Sequence, residues 1–80
     1  MKIKPFAKNM TVLELGDGTE VLFSYQTPVA AYTGDKFYKT EHWYSSTTTG
    51  HVNKWLRAEG VINVKHVVTK PQEFFDTLAV

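Results

Sequence analysis

The sequence lacks cysteine and long hydrophobic runs, has little proline, and carries almost balanced charge. Without cysteine the chain of 80 residues cannot form disulfides, use a thiol nucleophile or bind zinc through thiolates. Its longest run of apolar residues is Val29-Ala30-Ala31-Tyr32. That run is far shorter than the roughly 18 apolar residues of a membrane span, and shorter than a signal-peptide core. We therefore expect a cytoplasmic protein.

The remaining composition is typical of a small globular domain. Nine basic and eight acidic residues give a net charge of +1, and 42% of residues are hydrophobic. These values exclude an intrinsically disordered chain. A single core of this size supplies only about 3–5 kcal/mol of net stability, so we expect identical subunits to associate.

No linker, repeat or low-complexity tract divides the sequence, so residues 1–80 are treated as one domain. Residues 1–9 contain three lysines, no acidic residue and Pro5. We expect them to form an extended or loosely ordered basic N-terminal arm. Residues 10–80 then form the folded part.

Alternating β-favouring residues predict a mostly β, α+β fold around a strongly bent antiparallel sheet. Asp17-Gly18 marks a tight hairpin. The next strand begins at Glu20, and Gln26-Thr27-Pro28 predicts a bulge, bend or edge inside a longer strand that ends at Thr33. After a turn at Gly34-Asp35, residues 36–44 form the third long run.

Two helices are predicted in the second half of the chain. The hydroxyl-rich run before Gly50 supplies N-cap residues, and Gly60 suits the position after a helix, which predicts a helix over residues 48–59. Residues 61–68 read as the fourth strand. The proline at position 71 predicts a short C-terminal helix, and a fifth strand over residues 74–80 is the alternative.

The residue types needed for catalysis or metal binding do not form a recognisable pattern. His42, His51 and His66 stand at no spacing typical of a metal site, and no P-loop, dinucleotide-binding or hydrolase motif is present. We therefore expect no cofactor, no metal and no enzymatic activity. A small nuclease or other hydrolase using His51 or His42 ranks last among the alternatives.

Binding of an anionic partner is the more informative hypothesis. Hydroxyls and an imidazole cluster at the start of the predicted helix, where unpaired amides attract phosphate, although simple helix capping gives the same pattern. Lysines alternate with aromatics in the third run, as in surfaces that stack single-stranded bases, but also as in ordinary half-buried strands. The candidate nucleic-acid-binding residues are Lys36, Tyr38, Lys39, Tyr44, Thr48, His51, Arg57 and Lys65. The lysines and Arg57 would contact phosphates, and the two tyrosines would stack on bases.

Two segments resemble a family of small uncharacterised proteins of phages, including marine cyanophages. They are residues 22–30, LFSYQTPVA, and residues 46–56, STTTGHVNKWL. This resemblance brings no assigned activity. It implies a phage origin and, with the absences above, a place in the host cytoplasm.

The order of predicted elements is also similar to that of Sm-like small barrels. The shared features are a short strand, the hairpin at Gly16-Asp17-Gly18, a long bent strand, a third strand, an insert and a returning strand. The resemblance implies a small Sm-like or SH3-like barrel with one helix inserted before strand four. It also implies a ring built by pairing of edge strands, with about five to seven subunits.

These observations favour a non-catalytic nucleic-acid-binding protein that acts on RNA or single-stranded DNA as a ring-shaped homo-oligomer. The alternative is a protein-interaction module that binds or modifies a host protein through the same aromatics. A structural component of the virion is a further possibility.

Overall fold

The computed structural model describes residues 2–64 and 67–78. It contains six strands and two helices, and is mostly β. In chain order the elements are β1 (Lys2–Ala7), β2 (Met10–Glu14), β3 (Glu20–Ser24), β4 (Thr27–Tyr32), β5 (Phe37–Thr40), α1 (Ser46–Ala58), β6 (Val68–Lys70) and α2 (Gln72–Leu78).

The strands form one mixed sheet in the order of the sequence, β1-β2-β3-β4-β5-β6. The first five strands are an antiparallel meander, and β6 pairs with β5 in parallel after the chain crosses over through α1. Among the described strands, β1 and β6 each pair with one neighbour only, so this order does not show the closure of a barrel.

The two helices pack on opposite faces of the sheet and divide the core in two. Val12 and Leu22 are cross-strand neighbours on the face that contacts Trp55 of α1. Leu13 and Val21, one position along each strand, are on the face that contacts Phe75 of α2. This follows from the two-residue period of a strand, which sends successive side chains to opposite faces.

Several predicted elements agree with the structure. The hairpin at Asp17-Gly18 joins β2 to β3, with Gly18 at a φ of 92°. The predicted helix over residues 48–59 is α1, which begins two residues earlier and ends one residue earlier. The C-terminal segment is the helix α2 and not the alternative strand, because Phe74 and Phe75 lie on a helical turn that packs on the sheet.

The N-terminal segment has the extended form, one of the two forms expected for it. Residues 2–7 form an extended edge strand that pairs with β2, so Lys2 and Lys4 lie on the sheet, and Lys8 lies in the turn between the two strands. Lys4 contributes to this pairing, because its Nζ forms an ion pair of 2.7 Å with Glu14 Oε2 on the neighbouring strand.

The predicted long bent strand is two strands. The chain reverses at Tyr25-Gln26, and Ser24 pairs with Thr27 to close a hairpin of two loop residues. Tyr25 adopts a φ of 58°, which is unusual for a tyrosine, so residue type gave no turn signal. The predicted irregularity lies nearby, because the register shifts between Leu22 and Phe23 and leaves Val29 as an extra residue.

Two further strand predictions are wrong in extent. The third run ends at Thr40, because the chain leaves the sheet to enter α1. Of residues 61–68, only Val68 lies in a described strand, and the side chain of Ile62 is 98% exposed. Residues 61–64 and 67 belong to the crossover that makes β6 parallel, whereas the prediction treated residues 61–68 as the fourth strand of an antiparallel sheet. Residues 65 and 66 lie outside the described residues.

Candidate functional site

The N-terminus of α1 is joined to the end of β3 by a network of hydroxyls, of which those of Ser24 and Thr48 belong to buried residues. Ser45 is the N-cap, and its Oγ accepts a hydrogen bond of 3.1 Å from the Thr48 amide. The Thr48 side chain is buried, and its Oγ1 lies 3.3 Å from both Ser45 Oγ and Ser24 Oγ. The sequence pointed to a cap within the hydroxyl-rich run but not to Ser24, because a serine in a strand carries no special signal.

His51 belongs to the same network. Its Nδ1 lies 2.7 Å from Ser24 Oγ, and its ring centroid lies 5.7 Å from that of Tyr25. A serine beside an imidazole is also the arrangement of a nucleophile and its base. Ser24 is only 2% exposed, however, so a substrate could not reach its hydroxyl. The pair therefore fastens α1 to β3 and fixes the orientation of the imidazole.

A groove opens where the chain passes from β5 into α1. Its lining, which we call the α1 groove, comprises residues 39–44 together with Thr48, Thr49, Val52 and Asn53. The lining includes three consecutive aromatic residues, His42, Trp43 and Tyr44, and one acidic residue, Glu41. The rings of His42 and Tyr44 are 4.3 Å apart, and Trp43 between them in sequence is 69% exposed. A large exposed aromatic side chain beside a groove is suited to contact with a partner.

The polar properties of the α1 groove are set by its neighbours. Partial burial, and then the negative charge of Asp76, raise the pKa of the Tyr44 hydroxyl above its ordinary value. A tyrosine hydroxyl is neutral near pH 7 in any case, so Tyr44 can act there as a hydrogen-bond donor. Lys39 Nζ donates a hydrogen bond of 2.8 Å to the Val64 carbonyl, which leaves donors of the ammonium for another acceptor.

The α1 helix itself is free of acidic side chains. Its sequence STTTGHVNKWLRA contains Lys54 and Arg57, both exposed, and no aspartate or glutamate. The first turn also has no carboxylate to balance the positive end of the helix dipole. Lys54 and Arg57 therefore place positive charge on the solvent face of the second half of α1, and Glu59 follows them at the C-cap.

The structure brings some of the predicted residues together and separates others. Lys39, Tyr44 and Thr48 line the α1 groove, and His51 follows one helical turn later. Arg57 lies at the other end of α1, and Lys36 is exposed in the turn before β5. Lys65 lies outside the described residues.

Tyr38 lies on the opposite face of the sheet from the α1 groove. Its ring is 5.2 Å from that of Phe74, and Lys70 Nζ lies 5.7 Å from both ring centroids. Tyr38 thus packs under α2. Trp43 was absent from the candidate residues, although it lies in the run of aromatics at 42–44.

A cluster of three glutamates lies near the C-terminal end of α1. Glu14 and Glu20 face each other across β2 and β3, and Glu59 is the C-cap of α1. The hydrogen bond and charge of Lys4 lower the pKa of Glu14. Burial raises the pKa of Glu20, with further contributions from a hydrogen bond and the charge of Glu59. The pKa values of the two facing carboxyl groups are therefore shifted in opposite directions, down for Glu14 and up for Glu20.

Neither a metal cluster nor a spanning helix occurs in the described part of the chain. Over residues 2–64 and 67–78, no three histidine or carboxylate side chains converge to hold a metal ion. Within the same ranges, neither helix has the length and apolar character needed to cross a membrane.

Comparison with known proteins places the chain in a family. Residues 1–76 match the family of unknown function DUF8033, so the chain belongs to that family. Searches of curated proteins and of solved structures give no match.

Proposed function

We propose that this member of the DUF8033 family is a non-catalytic nucleic-acid-binding protein of phage origin, which binds RNA or single-stranded DNA in the host cytoplasm. One observation carries the proposal. The exposed aromatics of the α1 groove adjoin the start of α1, a helix that carries Lys54 and Arg57 and no carboxylate.

Each part of this surface suits one part of a single-stranded nucleic acid. Exposed rings such as those of Trp43 and Tyr44 can stack on unpaired bases, and such stacking tolerates any base sequence. The cations on α1 can contact phosphates and release counterions. Tyr38 packs under α2, so the stacking role passes to Trp43, while Lys36 and Lys65 remain proposed phosphate contacts.

The proposal includes assembly into a ring of about five to seven copies, as the resemblance to Sm-like small barrels implies. β1 and β6 are the edges of the sheet, and pairing of β1 with β6 of the next copy would continue it. Such an assembly would repeat the positive charges of Lys54 and Arg57 around an axis. The lysines of β1 and the missing N–H of Pro5 restrict the register that this pairing can take.

A fluorescence anisotropy titration tests the binding. Labelled single-stranded RNA and DNA should bind saturably at low salt, and the affinity should fall steeply as salt rises, because phosphate contacts release counterions. Arg57→Gln should weaken binding at low salt. Lys70→Gln, which removes an equal charge on the α2 face, is the matched control and should bind like wild type. Absence of saturable binding at low salt overturns the proposal.

A second candidate function rests on a different surface. On the α2 face, an apolar groove is lined mainly by Ile3, Leu13, Phe23 and Tyr25, and Ile3 is 70% exposed. Such a surface suits a protein partner, as in a module that binds or modifies a host protein. One stoichiometric partner, captured from host lysate with or without nuclease and lost in Ile3→Asp, would support this function over nucleic-acid binding.

A further inference from the structure

The loop between β3 and β4 holds a tyrosine in a conformation that favours glycine. Tyr25 is the first of the two loop residues, and its φ is 58°. Tight hairpins with a positive φ at this position select glycine, because a Cβ there crowds the backbone. The conformation is well anchored, since the Tyr25 amide donates a hydrogen bond of 2.7 Å to the Asn9 carbonyl.

The side chain of Tyr25 does not offset this strain by packing in the core. It is 55% exposed and belongs to neither of the two buried clusters. A strained residue that the fold does not need for its core points to a role in function.

The aromatic neighbour of the Tyr25 ring on α1 is His51, while Tyr25 also lines the apolar groove beside Phe23. The ring centroids of Tyr25 and His51 are 5.7 Å apart, and the hydrogen bond to Ser24 Oγ holds the imidazole in place. Ser24 also contacts Thr48, which lines the α1 groove. The Tyr25–His51 ring pair and the α1 groove therefore adjoin the same turn of α1.

We propose that Tyr25, supported by His51, is a second base-stacking platform of the nucleic-acid interface, retained despite its backbone strain. This inference rests on the proposed function and extends its surface from Trp43 and Tyr44 across α1 to the tip of the β3–β4 hairpin. Its ligand is an unpaired nucleobase, because the faces of bases inside a duplex are already stacked on their neighbours.

Three substitutions at one position separate the ring from the strain. Tyr25→Gly removes both, Tyr25→Ala removes the ring and keeps the strain, and Tyr25→Phe keeps both. We expect Tyr25→Gly and Tyr25→Ala to bind a labelled single-stranded oligonucleotide about tenfold more weakly than wild type, since loss of one stacked base has an effect of this size. Tyr25→Phe should bind like wild type.

Thermal unfolding of the same proteins gives the second readout. Tyr25→Gly should melt higher than Tyr25→Ala, because only glycine adopts the positive φ freely. The combination of higher stability and weaker binding in Tyr25→Gly than in Tyr25→Phe distinguishes a ligand contact from a structural residue. Far-ultraviolet circular dichroism checks that each variant is folded.

The outcomes separate the two proposals. If wild type binds and Tyr25→Gly binds equally well, the platform is refuted while the proposed function stands. If Tyr25→Gly loses stability and binding in proportion, Tyr25 is a structural residue and the platform is again refuted. If wild type does not bind at low salt, the proposed function fails and the platform fails with it.

Discussion

At the scale of single residues, two facing glutamates show how position decides the effect of a charge. Glu14 and Glu20 are direct cross-strand partners, but Lys4 pairs with Glu14, whereas Glu20 meets the carboxyl group of Glu59. The folded protein therefore favours ionised Glu14 and neutral Glu20. Their contributions to the free energy of unfolding must depend on pH with opposite signs.

The raised pKa of Glu20 predicts that its charge destabilises the fold at neutral pH. The neutral form of Glu20 contributes to the free energy of unfolding. This contribution is fully present below the ordinary pKa of 4.5, and it is lost as pH rises through the higher pKa that Glu20 has in the folded protein. Glu20→Gln should therefore raise the melting temperature at pH 7, and the difference from wild type should shrink toward pH 4.

Glu14→Gln is the matched control and should act in the opposite sense. The pKa of Glu14 is lowered, so its contribution is present at neutral pH and is lost as pH falls through the folded value. A lower melting temperature at pH 7 is expected. Equal shifts in the same direction for both variants would contradict this account of the cluster.

At the scale of elements, the two glycines of the α1 region should respond in opposite ways to one substitution. Gly60 follows the C-cap at a φ of 95°, and the amides of Gly60 and Val61 donate to the carbonyls of Arg57 and Leu56 in a Schellman motif. Gly50 lies on the exposed side of α1 with ordinary helical backbone, and a Cβ there would meet nothing within 4 Å.

Gly60→Ala should destabilise the protein by about 1 kcal/mol, because alanine resists the left-handed conformation. Gly50→Ala should stabilise it by about 0.5–1 kcal/mol through helix propensity. Urea denaturation followed by circular dichroism measures both. Stabilisation by Gly60→Ala would show that α1 does not end in this motif.

The elements also show what the sequence can and cannot predict. Asp17-Gly18, the hydroxyls before Gly50 and the glycine at position 60 are local signals, and the hairpin and α1 followed from them. The turn at Tyr25 carried no local signal, because its positive φ is imposed by pairing of β3 with β4 and by the bond to Asn9. Its tertiary origin hid both the hairpin and the Tyr25–His51 ring pair.

The crossover was missed for a related reason. Residues 61–64 are rich in β-branched side chains and look like a strand. Whether such a segment joins a sheet depends on where the preceding helix ends, and here α1 delivers the chain to the far edge, where β6 pairs in parallel. The α1 groove forms where β5 stops at Thr40 and the chain turns into α1. The sequence predicted a strand that continues to residue 44, so it placed Trp43 on the sheet.

At the scale of the whole molecule, the small size of the chain and the unpaired edges of its described sheet favour association of identical chains. A chain of 9.1 kDa whose described strands leave two sheet edges unshared should gain stability by association with copies of itself. Light scattering coupled to size exclusion should report about five to seven times the mass of one chain at micromolar concentration. A solitary species of one chain's mass would rule out the ring, and single-strand binding would then have to be a property of the monomer.

The central claim is that the α1 groove and the face of α1 bind a single-stranded nucleic acid, and tryptophan fluorescence tests it most directly. Trp55 is buried at 1% exposure while Trp43 is 69% exposed, so quenching by a ligand reports on Trp43. Titration with a single-stranded oligonucleotide at low salt should quench the wild type saturably, and added salt should reverse the quenching. Trp43→Phe should show neither effect. An unquenched wild type at low salt, or equal quenching in Trp43→Phe, would contradict the account.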